Sequence, residues 1–163
     1  MGDKITLDTN LLHEYWKDRP KRQIVQQLID LASASRIELA VTSRIRQDVP
    51  DPPLSNLLDK LGDLGILETG SVTRVGLWRL GLDQLGDDAL AEFIDRMSGR
   101  CSSRGIPEPD WRDWDHIHAH YVQGRDVFLT WDRAILSLTT DLADEFALKV
   151  MKPEDYLQHL DEE

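Results

Sequence analysis

One cysteine, Cys101, is present in 163 residues. That excludes an intrachain disulfide framework and a multi-cysteine zinc site, and it suits a reducing compartment. No apolar run approaches the length of a membrane span. The N-terminus carries Asp3 and Lys4 where a signal peptide would need an apolar core. Both features point to the cytoplasm and away from a membrane. Bases are scarce as well: 19 against 30 acids, for a net charge of −11. This argues against a broad basic face that wraps nucleic acid. It does not exclude a nuclease, because a cation bound among carboxylates reverses the local field. The acidic excess also suits a basic partner.

What remains is the composition of an ordinary globular protein, 40% hydrophobic and 30% charged. The length fits one domain, expected to span residues 1–163 with a mostly helical insertion at about 54–110. Lys4 to Leu7 reads as an opening strand that runs into Asp8-Thr9-Asn10, and Leu11, Leu12, Tyr15 and Trp16 suggest a helix. Ile24, Val25, Leu28, Ile29 and Leu31 repeat at helical spacing over residues 21–34. A second strand is expected over Ile37 to Val41, followed by a short helix from Ser43 towards Asp48. Leu54 to Leu64 suggests a helix, Ile66 to Val75 a strand or hairpin, and Leu77 to Met97 one or two helices. Ser98 to Trp111, with two glycines and two prolines, reads as a loop.

The most informative stretch is DWDHIHAHYVQGRDVFLTWD, from Asp113 to Asp132. Trp114, Ile117, Tyr121 and Val122 recur at helical spacing, Gly124 offers a stop, and Val127-Phe128-Leu129 is a short apolar strand. A helix over Arg133 to Thr140, a strand over Ala147 to Met151 and a helix opened by Pro153 complete the chain. This alternation favours an α/β sandwich around a parallel sheet.

Asp8, Asp48, Asp113 and Asp132 each fall at a strand end or in the first turns of a neighbouring helix. Converged, they would make an oxygen-rich site for Mg²⁺ or Mn²⁺, suited to phosphodiester hydrolysis. In a chain with 30 acids, chance alone could place any one of them there. Asp115 is the alternative to Asp113, because the two flank the apolar face of their helix on opposite sides. Asn10 and Thr130 could orient water or a phosphate oxygen, or simply cap turns. Arg125 and Arg133 could touch a phosphate, although a solvated charge is the simpler account of each. Trp131 could stack on a base or cover its strand end. His116 and His120, four apart, fit partly exposed structural histidines better than a zinc pair, and His118 fits packing; HExxH is absent.

ITLDTN and D-x-x-H-x-x-A-x-x-x-G-x-D-V-F-L-T-x-D resemble the PIN domain, a metal-dependent ribonuclease fold found in many toxins of toxin–antitoxin pairs. The resemblance covers about residues 3–48 and 111–158. It implies a three-layer α/β/α sandwich with a mainly parallel central sheet. It also implies Mg²⁺ or Mn²⁺ on Asp8, Asp113, Asp132 and Asp48, an RNA substrate, and an antitoxin-like partner or a second copy of the chain. Asp48 stands where the family commonly has Glu, which shortens that ligand's reach. The alternatives are a catalytically silent PIN-like module that binds protein or RNA, and a phosphotransfer enzyme of the haloacid dehalogenase type. The last would want an acid at position 10, where this chain has Asn10.

Overall fold

Five short segments make one sheet: β1 Lys4–Leu7, β2 Glu38–Thr42, β3 Ile66–Thr69, β4 Val127–Leu129 and β5 Lys149–Met151. They lie in the order β3-β2-β1-β4-β5, every neighbouring pair parallel. In register, Thr6 stands between Ala40 and Phe128. This computed structural model describes residues 2–42, 45, 59–69 and 83–162, with side chains in the last block from residue 89. The expected helix after β2, Asp48 with it, and most of the region 54–82 lie outside the described residues.

A parallel sheet with helices on both faces must be apolar on both faces, and the three inner strands β1, β2 and β4 largely are, whereas β3 at the edge leaves Leu67 and Glu68 exposed. Ile5, Leu7, Leu39, Val41, Val127 and Leu129 pack on one side against Leu11, Leu12, Val25, Leu28 and Tyr156. Those residues come from α1 Thr9–Trp16, α2 Arg22–Ser33 and α7 Pro153–Glu162. Phe128 and Val150 point the other way, into Phe93, Met97, Trp114, Ile117, Ile135 and Leu142. That layer holds α3 Asp83–Arg104, α4 Trp111–Val122, α5 Arg133–Leu136 and α6 Thr139–Phe146. The three-layer α/β/α arrangement around a parallel sheet is therefore as the sequence suggests.

Four expectations need correction. Residues 98–104 are helical, and only 105–110 form a loop. Phe93, Met97 and Cys101 are buried at four-residue spacing, so one continuous stripe carries α3 past Gly99. Arg96 and Arg100 pair with Glu145, and Arg104 pairs with Asp141, which fixes the end of α3 to α6. Gly105, at φ +63°, then terminates the helix in a conformation that costs other residues strain.

The second correction concerns α4. Every residue from Trp114 to His120 is buried, whereas Tyr121 and Val122 are exposed. The helix lies between the sheet and α3, so both of its sides are covered from Trp114 to His120, and only its first and last turns leave the sandwich. His116 and His120 are consequently buried rather than partly exposed, and His118 is buried in packing, as expected. His118 packs edge-on to Phe93 with ring centroids 5.3 Å apart. His120 bonds through Nδ1 to Thr6 Oγ1 at 2.8 Å and meets Phe128 edge-on. Burial pushes the pKa of His120 down to about 4, so the ring is neutral. Gly124, at φ +59°, ends the segment before β4.

Third, the helix expected over 133–140 is two, broken at Ser137 and Leu138, where Thr139 Oγ1 turns back to Leu136 C=O at 2.8 Å. Fourth, Arg125 is buried, not solvated. Its guanidinium bonds Glu38 Oε1 at 2.7 Å and the carbonyls of Ile5 and Glu38 at 3.0 Å each. It stitches the starts of the strands together, at the opposite end of the sheet from the strand-end acids.

Candidate active site

Parallel strands deliver their C-terminal ends to one edge, and side chains just past those ends collect there. Chain leaving β1 goes on to β2, and chain leaving β4 goes on to β5 on the other side. A crevice opens where they part. Asp8 N–H donates to the Leu129 carbonyl at 3.0 Å, which locks the two strand ends together.

Asp8 is the N-cap of α1, accepting from Thr9 N–H at 2.7 Å. Its other oxygen accepts from the Thr130 hydroxyl at 2.6 Å. The same hydroxyl oxygen accepts from Asp132 N–H at 2.9 Å and from Asn10 Nδ2 at 3.3 Å. Thr130 is wholly buried, so it does not present its hydroxyl to a substrate; it joins three residues of the crevice instead. Asp132 caps α5 through Oδ1, which accepts from Ala134 and Ile135 N–H at 2.7 and 3.2 Å. Asp113 sits in the first turn of α4, behind the N-cap Asp110. Capping preferences thus place each carboxylate: short acids at helix starts satisfy orphan N–H groups and face the positive ends of the helices.

Asp8, Asn10, Asp113 and Asp132 line one cleft of about 330 Å³ together with Thr9, His13, Asp110, Arg112 and His116. Asp115 does not line it and is buried within the α4 layer. Arg133 is exposed at the start of α5 and is not among the lining residues. Trp131 is committed to packing: it lies against the core, donates to Glu154 Oε2 at 2.7 Å, and has Lys21 Nζ 4.6 Å from its ring centre.

Burial is the chief cause that raises the Asp8 carboxyl above its ordinary pKa; the Thr130 hydrogen bond pulls back and the charge of Asp132 adds to the rise. Asp113 is raised to about 6, first by burial and then by Asp8, Asp132 and Asp110, with His116 opposing. The carboxylates therefore repel one another through a poorly solvated space. His116 is buried beside them, bridging the Thr42 hydroxyl at the end of β2 to Thr9 Oγ1, 3.4 Å away. Among the described residues no three His, Cys, Asp or Glu side chains already stand as a ligand set around one point. The carboxylates of Asp8, Asp113 and Asp132 nevertheless fit a hard divalent cation, being oxygen donors that repel one another. The second amide atom of Asn10 is buried without a hydrogen-bond partner among the described residues, as in a site that receives a polar ligand.

Sequence reasoning missed His13, Asp110 and Arg112. His13 follows Thr9 by four residues on α1, so the capping role of Asp8 could have pointed to it. Asp110 could have been found as the cap that opens α4, with Arg112 two residues on.

No family model and no curated protein matches the chain. A solved structure does: a chain of VapBC2 from Rickettsia felis bound to a DNA fragment from their promoter. The likeness covers 91% of this chain and 98% of that one, at a TM-score of 0.55 and 11% identity. The fold is PIN-like. No helix among the described residues is long and apolar enough to cross a membrane.

Proposed function

We propose that this chain is a metal-dependent endoribonuclease that hydrolyses RNA phosphodiester bonds, with Asp8, Asp113 and Asp132 as ligands of Mg²⁺ or Mn²⁺ and Asp48 as a fourth. One observation carries the reading. Carboxylates from three separate elements meet in one cleft at the strand ends, close enough to help raise Asp113 to about 6. A bound divalent cation would supply an activated water and offset charge on the phosphate. The chain's own residues hold the geometry. Thr130 and Thr9 orient Asp8, the start of α5 fixes Asp132, and Asn10 Oδ1, an acceptor, can take a hydrogen bond from a water. Arg112 is the cation nearest to hand for the scissile strand. The fold shared with a chain of a VapBC2 assembly supports a toxin role. The net charge of −11 suits a basic antitoxin-like partner.

The test is cleavage of labelled single-stranded RNA in Mn²⁺ and in Mg²⁺, with EDTA and Asp8→Asn as controls. Metal-dependent cutting that falls at least ~100-fold in Asp8→Asn is the expected result, of the size one key charged group contributes. No cutting of a panel of RNAs by folded, metal-loaded protein would favour a PIN-like binding module instead. Cutting that survives Asp8→Asn would refute the site.

A further inference from the structure

The bases of this acidic chain are not spread evenly. Four of its 19 lysines and arginines fall within Lys17 to Arg22, the turn between α1 and α2. Residues 17–21 are exposed. Two of the four bases are matched locally: Arg19 pairs with Glu14 at 3.4 Å, and Arg22 pairs with Asp18 at 3.0 Å and lies over the Tyr15 ring. Lys17 and Lys21 form no ion pair among the described residues. The turn therefore carries excess positive charge in a protein whose net charge is −11. Charges beyond a Debye length of about 8 Å are largely screened at physiological salt, so an anion at this turn meets its lysines more than the distant acids.

The backbone fixes the turn. Lys17 caps α1, Asp18 takes the left-handed conformation at φ +50°, and Arg19 N–H reaches back to the Glu14 carbonyl at 3.1 Å. That pairing closes a helix in a Schellman motif, and Pro20 keeps the helix from resuming.

Both lysines adjoin the cleft, through different elements. α1 gives Leu11, Leu12, Tyr15 and Trp16 to the core. At about 100° per residue, its opposite face is that of Asn10, His13 and Lys17. Asn10 and His13 line the cleft. Lys17 is the next residue on that face, about 6 Å further along the axis at ~1.5 Å per residue. Lys21 is placed by Trp131 instead. Its Nζ lies 4.6 Å from the centre of the indole, which is itself fixed by its bond to Glu154 Oε2. Trp131 directly precedes Asp132, an acid of the cleft, so it holds an exposed ammonium beside the site.

We propose that Lys17 and Lys21 are phosphate contacts for an RNA strand that leaves the cleft along the polar face of α1 and crosses the α1–α2 turn. The inference rests on the ribonuclease reading and deepens it, by giving the substrate a direction. Two ammonium groups on a fixed turn suit successive phosphates, which they bind as point charges. A basic protein partner, which the net charge favours elsewhere, would be repelled here. Such contacts position a strand without reading its bases. Neither lysine touches the scissile bond; both are binding residues.

The experiment compares the full chain with the double variants Lys17→Gln/Lys21→Gln and Lys17→Arg/Lys21→Arg. Lys149→Gln is the control, an exposed lysine at the start of β5, away from the strand ends that form the cleft. Circular dichroism checks the folding of each. The first readout is the KM and kcat of Mn²⁺-dependent cleavage of a single-stranded RNA. The second is the fluorescence anisotropy of the same RNA, labelled, in EDTA from ~50 to ~200 mM salt, which needs no cleavage. Each phosphate contact on a single strand adds about 0.7 to the slope of log affinity against log salt, so losing two should flatten the slope by about 1.4. Over that salt range this is roughly sevenfold in affinity. The double Gln variant should raise KM by roughly sevenfold at the low end and approach the wild type at the high end, with kcat nearly unchanged. The double Arg variant and Lys149→Gln should keep the wild-type slope.

A wild-type chain that cuts RNA, with KM and salt slope both unchanged in the double Gln variant, would overturn the phosphate contacts and leave the nuclease reading standing. An equal loss in Lys149→Gln would also overturn them, since it would reflect net charge alone. RNA binding that weakens in the double Gln variant, in a chain that cuts nothing, would uphold the contacts and overturn the nuclease reading. A chain that neither binds nor cuts RNA would overturn both.

Discussion

Replacing Asp113 by Asn should stabilise the metal-free protein. The carboxyl of Asp113 is raised from 3.8 to about 6, by burial and by the charges of Asp8, Asp132 and Asp110. The sign is that of an acid whose folded pKa lies above its unfolded one. Below about pH 4 the group is protonated in both states and costs nothing. As pH rises towards 6 the unfolded chain loses the proton while the folded chain keeps it, so stability falls, and above 6 the cost is constant. About two units correspond to roughly 3 kcal/mol at 1.36 kcal/mol per unit. Partial solvent contact and salt screening reduce this to about 1–2 kcal/mol. Asn keeps the shape and removes the charge. Urea melts of both proteins in EDTA, from pH 4 to 8, should show Asp113→Asn more stable by that amount at pH 7.5 and equal at pH 4. In Mn²⁺ the order should reverse. A cation held by the native site stabilises the wild type by RT ln(1 + [L]/Kd), about 2.7 kcal/mol at a hundredfold excess over Kd, and the variant would gain less. An Asp113→Asn protein that is less stable than wild type in EDTA at pH 7.5, or that gains as much from Mn²⁺, would refute the reasoning.

Thr130→Val keeps the volume and removes the hydroxyl that joins Asp8, Asp132 N–H and Asn10. It should cost about 1–3 kcal/mol in denaturant melts, since buried partners are left unsatisfied. It should also raise the Asp8 carboxyl further and move the acidic limb of any cleavage profile to higher pH. Phe128→Ala empties the centre of the α3–α6 side of the sheet and should cost about 3–5 kcal/mol, read as a lower Tm. Arg125→Met removes a buried guanidinium that bonds the carbonyls of Ile5 and Glu38 far from the cleft, so it should lower stability and leave metal-dependent cleavage unchanged.

The strands and most helices were legible in the sequence because each carries its own period. Val127-Phe128-Leu129 is apolar throughout since both faces of a parallel sheet are covered. The acids at strand ends were legible for a local reason too. Asp8 and Asp132 cap helices, and capping is written in a residue and its next few neighbours. The register of α4 was not. His116 and His120 looked half-exposed on a wheel, because a wheel assigns one face to solvent, and α4 has none from Trp114 to His120. Nor was the end of α3, where two glycines and two prolines in Ser98 to Trp111 outweighed the stripe of Phe93, Met97 and Cys101.

Local composition and spacing, which need no partner from elsewhere in the chain, determined an acidic α/β protein with carboxylates at its strand ends. The tertiary structure alone decided which of those groups share a space. Asp113 lines the cleft and Asp115 does not; Thr130 serves Asp8 and not a ligand; Arg112 stands in the cleft and Arg125 at the far end of the sheet. These facts depend on residues more than a hundred positions apart, as Asp8 and Thr130 are, which meet only when β1 and β4 pair. No local pattern encodes such a meeting, because it is set by the order of strands in the sheet and by the layer that each helix occupies.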